Sequence, residues 1–105
     1  MMDTKIQNFL GLAIRARKVK SGESVILTDI KKQRIKLVIV AEDAAENTQK
    51  LMRNKCASYR IPIRIYGTRD ALGQALGKAE AVNIGLTDQG FATKLMSMID
   101  EYRKE

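Results

Sequence analysis

The chain has 105 residues, 45% of them apolar and 30% charged, with a formal net charge of +7. That is one domain's length, read as a single domain over residues 1–105 with enough apolar side chain for a real core, which excludes a disordered chain. No apolar run approaches a membrane span, no signal-peptide core follows the N-terminus, and the single cysteine, Cys56, excludes an internal disulfide, so a cytoplasmic protein is expected.

Ile6, Phe9, Leu10, Ala13 and Ile14 recur at spacings of three and four, which predicts a first helix over about 3–17, capped by Asp3 or Thr4. Residues 18–22 form a short link that can hold a strand. A second helix begins at Gly22 or Glu23 and runs to about Gln33, with Ile26, Leu27 and Ile30 inward and Lys31, Lys32 and Arg34 at its end, where cations suit the helix dipole. Residues 36–41 are nearly all apolar, as in a strand buried on both faces.

Asn47 or Thr48 opens a third helix with Leu51, Met52, Cys56 and Tyr59 as its apolar positions. Residues 61–66 make a strand whose Pro62 favours an edge or a strand start. Thr68 or its neighbour caps a short fourth helix that packs Ala71, Leu72, Ala75 and Leu76. A turn over 77–80 leads to a strand over 81–86. Thr87 or Asp88 caps a last helix striped by Phe91, Leu95, Met98, Ile99 and Tyr102, and residues 102–105 read as a frayed, solvated end. This alternation predicts an α/β fold, a sheet of about four strands between helix layers.

Catalytic chemistry finds little support. Histidine, the commonest general base and metal ligand, is absent, one cysteine cannot build a zinc site, and neither glycine-rich phosphate-loop pattern is present. Glu42-Asp43, at a strand end, is the best carboxylate pair for an enzyme, against a plain solvated loop capping the next helix. Cys56 reads as a small buried residue, and Met96 and Met98 as core packing. Gly73 and Gly77 fit helix packing and a helix stop. No cofactor, metal or small-molecule substrate is expected.

Charge is distributed unevenly. Residues 1–36 carry nine Lys/Arg against three acids, whereas the remainder is nearly balanced. A polyanion is the natural partner of such a surface, with a basic face serving only solubility as the alternative. Within it, Arg15, Arg17, Lys18 and Lys20 precede a helix that starts at or near Gly22, Glu23 and Ser24. Free backbone N–H groups at a helix start can face phosphates or base edges, and a glycine admits another backbone.

These residues resemble a known family. Residues 10–18, Ser21-Gly22-Glu23, residues 36–44 with Asn47-Thr48, Leu72-Gly73 with Gly77-Lys78, and residues 87–92 are similar, in order and spacing, to the kink-turn-binding ribosomal proteins of the L-seven-Ae family, and in particular to its small bacterial members of the YlxQ type. The resemblance implies a three-layer α-β-α sandwich around a mixed sheet. It also implies that the start of the second helix enters RNA at tandem sheared G·A pairs, while an apolar loop before the last strand covers an extruded base.

Carried over by position, the family's glycine matches Gly22. Its base-reading Asn position holds Ser24, its Glu position Val25 and its Lys position Thr28, and a basic position one turn further matches Lys32. The apolar loop maps near Lys78-Ala79-Glu80-Ala81-Val82. The expected RNA-contacting set is thus Arg17, Lys18, Lys20, Gly22, Glu23, Ser24, Val25, Thr28, Lys31, Lys32, Lys78, Ala79, Glu80 and Ala81. The expected function is binding of structured, ribosomal-type RNA. The alternative is a protein-interaction or assembly module that kept the fold and lost specific RNA recognition.

Overall fold

The computed structural model describes residues 2–104. The elements run α1 (Thr4–Arg15), β1 (Val19–Ser21), α2 (Glu23–Lys31), β2 (Leu37–Val40), α3 (Glu46–Tyr59), β3 (Ile63–Ile65), α4 (Arg69–Leu76), β4 (Asn83–Leu86) and α5 (Gln89–Lys104). The strands form one four-stranded sheet in the order β1-β4-β2-β3, with β2 and β3 parallel and the other pairs antiparallel. The mixed three-layer sandwich expected from the sequence is the fold observed.

The layers follow from the two-residue period of a strand. Along β2, Leu37 and Ile39 face a core built with Ile6 and Leu10 of α1, Leu72 of α4 and Leu95 and Ile99 of α5. Val38 and Val40 face the opposite core, built with Ile26 and Ile30 of α2 and Met52 and Cys56 of α3. A strand covered on both faces has no polar side, which is why this segment reads as a continuous apolar run. The proline before β3 fits that strand's place at the sheet edge.

Several boundaries differ from those read in the sequence. The first helix closes at Arg15 because Arg17 enters the left-handed region at φ 61 and donates to the Ile14 carbonyl. The third helix opens at Glu46 after Ala45, without a side-chain cap. Gln49 Nε2 instead reaches back to the carbonyls of Ala41, Glu42 and Ala44. Glu42 and Asp43 do not cap that helix: Glu42 Oε2 accepts from the Gly67 N–H at 2.8 Å and Asp43 Oδ1 from the Arg69 N–H at 2.9 Å. The latter bond, the largest influence on it, holds the Asp43 carboxyl below its ordinary pKa. The pair therefore fastens the start of α4 to the end of β2.

The last strand begins at Asn83, so Val82 lies just outside it, although its carbonyl still accepts from the Ala41 N–H. The C-terminal segment stays helical to Lys104. Tyr102 meets the Tyr66 ring edge-on at 5.7 Å, and the Arg103 guanidinium lies 5.9 Å from the same ring. Residue 105 lies outside the described residues. Cys56 is 1% exposed, and burial pushes its thiol up to about 11, where it is un-ionised at neutral pH and unreactive.

Candidate nucleic-acid interface

The sheet has two ends, and its register assigns the expected site residues between them. Ser21 pairs with Ile84 and Val40 with Asn83, so the end of β1, the start of β4 and the end of β2 share one end. Val19 and Leu37 both pair with Leu86, so Lys18, Lys36 and the start of α5 share the other.

At the first end, the chain leaves β1 and enters α2 through Gly22. Its φ of 99 is one that L side chains rarely adopt, and no atom lies within 4 Å of where a Cβ would stand. The glycine is thus required by backbone shape, and the space before it is open. No side chain caps α2, so the first N–H groups of the helix remain free for an outside acceptor.

The loop before β4 approaches this helix start. Gly73 in α4 allows it: a Cβ there would stand 2.4 Å from Glu80 Cα. Lys78 then reaches across and its Nζ donates to Ser21 Oγ at 2.8 Å. Ser21, Gly22, Glu23, Thr48, Lys78, Glu80, Ala81, Val82 and Asn83 surround a concavity of about 360 Å³. Two segments of the expected site that are far apart in sequence therefore line one depression. Ser24, Val25 and Thr28 are exposed on the first turns of α2 beside it, and Ala79 is exposed on the loop.

The remaining expected residues do not join this group. β1 is only three residues long, yet it carries the chain from one sheet end to the other, so Arg17 and Lys18 lie opposite Gly22, with Lys20 exposed between them. Lys31 and Lys32 end α2 and are exposed at that same far end, about 13 Å along the helix axis from its start. Proximity in sequence made one cluster of cations that the strand separates.

Sequence reasoning also missed contributors. Asn83 is 3% exposed and lines the concavity; its trace was a lone amide within an apolar strand segment. Thr48, from the first turn of α3, lines it too. The positive charge also extends beyond the first third of the chain. Lys50 and Arg53 are exposed along α3, and Arg60 at its C-terminal cap; this helix packs beside α2 on the same face of the sheet. The described ion pairs, Arg64–Asp100, Arg69–Asp43 and Lys104–Glu101, involve no cation of this helix layer. Among the described residues, no helix is long and apolar enough to cross a membrane.

Comparison with known proteins agrees with this architecture. The chain is 47% identical over 91 residues to the RNA-binding protein YlxQ of Bacillus subtilis (strain 168), covering 87% of this chain and 91% of that protein. It is 38% identical over 96 residues to the RNA-binding protein YlxQ of Enterococcus faecium, covering 91% and 92%. A solved protein of unknown function from Bacillus halodurans superimposes with a TM-score of 0.90 at 42% identity, over 93% of this chain and 99% of that one. The Giardia lamblia 15.5kD RNA binding protein shares the fold at a TM-score of 0.76 and 16% identity, over 96% and 92% of the two chains. The pattern of one family matches residues 4–96, and the chain belongs to that family, the Ribosomal protein L7Ae/L30e/S12e/Gadd45 family.

Proposed function

We propose that this protein binds structured RNA, ribosomal RNA in the first instance, at the concavity between the start of α2 and the loop before β4, and that it acts in the cytoplasm without catalysing a reaction. The observation that carries the proposal is the meeting of an uncapped helix start at Gly22 with Lys78 beside one depression. Free N–H groups and a cation suit a phosphate backbone, and the depression suits an internal loop with an unstacked base. The two YlxQ relatives are named RNA-binding proteins, which supports the same assignment.

Val25, 43% exposed where the resemblance places a base-reading glutamate, favours a second reading, a protein-interaction module on the same fold. Titration with a kink-turn RNA, and with a control whose tandem G·A pairs are replaced by Watson–Crick pairs, separates the two. The kink-turn RNA is expected to bind more tightly. Equal binding of both RNAs overturns the internal-loop assignment. Recovery of no RNA after crosslinking in cells favours the protein module.

A further inference from the structure

The end of the sandwich opposite Gly22 carries a second concavity, of about 260 Å³, between the ends of α2 and α3. Ile30, Ile35 and Ile61 are among its lining residues, the first two buried and the third half-buried. Tyr59 and Pro62 line it as well. Tyr59 was expected in the core as an apolar position of α3, but it is 40% exposed, because α3 ends there and Arg60 turns into the left-handed region at φ 57. Gln33 adds a side-chain amide, Gln89 adds a second whose Nε2 already donates to Thr93 Oγ1 at 3.0 Å, and Lys36 and Arg60 complete the lining.

The same end collects the cations that the Gly22 end lacks. Arg17 and Lys18 arrive before β1, and Lys31, Lys32 and Arg34 arrive at the end of α2, all exposed. None of them, nor Lys36 or Arg60, is paired with an acid among the described residues. Of the carboxylates nearby, Asp29 is buried and Asp88 is occupied in accepting from the Phe91 N–H at 2.9 Å. Lys50 and Arg53, exposed along α3, extend the cationic surface back toward the first site.

An exposed tyrosine at a mixed polar and apolar concavity, with amides beside it and unpaired cations around it, is the combination that holds single-stranded nucleic acid. The ring stacks a base, the amides meet its edge, and the cations track the backbone. A carboxylate-rich peptide would use the cations but leave the tyrosine without a partner. From this geometry we infer a second RNA site: the concavity at Tyr59 takes an unpaired nucleotide of a strand leaving the structured element bound at Gly22. The inference rests on the RNA-binding function proposed above, but it concerns separate residues at the other end of the sheet.

Residue-resolved NMR titration of the whole chain tests it, with oligoadenylate of about ten nucleotides as the single-stranded probe. A kink-turn RNA without unpaired ends is titrated separately, so failure at the Gly22 end is distinguishable from failure here. Oligoadenylate is expected to shift the amides of Gln33, Lys36, Tyr59 and Arg60. Tyr59→Ala is expected to weaken its binding about tenfold and Tyr59→Phe by less than about twofold, while neither changes binding of the kink-turn RNA. Arg60→Asn, which keeps a residue tolerant of the left-handed backbone, should flatten the salt dependence. The inference is overturned if oligoadenylate shifts only residues 21–28 and 78–83, or if Tyr59→Ala binds it as wild type does. It is also overturned if polyglutamate or anionic vesicles reproduce the same shifts at the same salt, which would make this end a general anion surface.

Discussion

Lys78 Nζ and Ser21 Oγ, 57 residues apart in sequence, meet at 2.8 Å and join the loop before β4 to the start of α2. The bond is exposed and connects a flexible side chain to a hydroxyl, so it holds position more than it adds stability. That position sets the Lys78 charge beside the depression at the start of α2.

Lys78→Ala should therefore leave thermal stability within about 0.5 kcal/mol of wild type, as is usual for surface changes. Its affinity for structured RNA should fall, and the slope of log K against log salt should flatten by about 0.7–0.9, the value of one phosphate contact. Binding measured at several salt concentrations checks both numbers. An unchanged slope would mean that Lys78 meets no phosphate.

Gly22→Ala and Gly73→Ala should both destabilise, for different reasons. At Gly22 nothing obstructs a Cβ, but a φ of 99 strains any other residue, at a cost of about 1–3 kcal/mol. At Gly73 the added carbon would stand 2.4 Å from the Glu80 backbone, so the loop must move. Each kcal/mol should lower Tm by roughly 4–8 °C in a chain of this size. Amide shifts of residues 78–81 distinguish the two, moving strongly only in Gly73→Ala.

The triple variant Ser24→Asn, Val25→Glu, Thr28→Lys restores side chains able to read base edges on the exposed first turns of α2. Val25 now offers only an apolar surface, whereas a glutamate accepts from guanine N–H groups and an asparagine both donates and accepts. The variant should bind kink-turn RNA more tightly by about 1–3 kcal/mol, the scale of one bidentate contact in duplex DNA. The gain should shrink on the Watson–Crick control. An equal gain on both RNAs would make the new lysine a generic charge.

Arg64 and Asp100 form a two-bonded pair, at 2.9 Å from Nε to Oδ1 and 3.0 Å from Nη2 to Oδ2, that ties β3 to α5. Hydrogen bonding to the guanidinium holds the Asp100 carboxyl below its ordinary value of 3.8. Because the folded pKa is the lower one, the pair's contribution is present above that ordinary value and is lost as pH falls through the folded one. Asp100→Asn should cost up to about 1 kcal/mol at neutral pH, since both side chains are partly exposed. Denaturant midpoints of the two proteins should converge as the pH falls well below 3.8.

The sequence by itself determined the element order, the α/β class and most of the core, because those follow from local periodicity. The apolar run at 37–40 and the threefold and fourfold spacings at Leu10, Ile30, Met52, Leu72 and Leu95 prescribe buried faces wherever the elements come to lie. The glycine at 22 and the basic surroundings were also legible, since they reside in single residues. What the sequence could not supply was which end of the sheet each residue occupies. Arg17, Lys18 and Gly22 look like one cluster along the chain, but three residues of β1 carry them to opposite ends, while Lys78 comes to Ser21 from the far side of the fold. Tyr59 looks buried by its helical spacing, yet α3 ends at that residue and leaves it partly exposed. Distances between segments are fixed by strand pairing and layer packing, which are long-range, so the grouping of the sites was decided only by the tertiary structure.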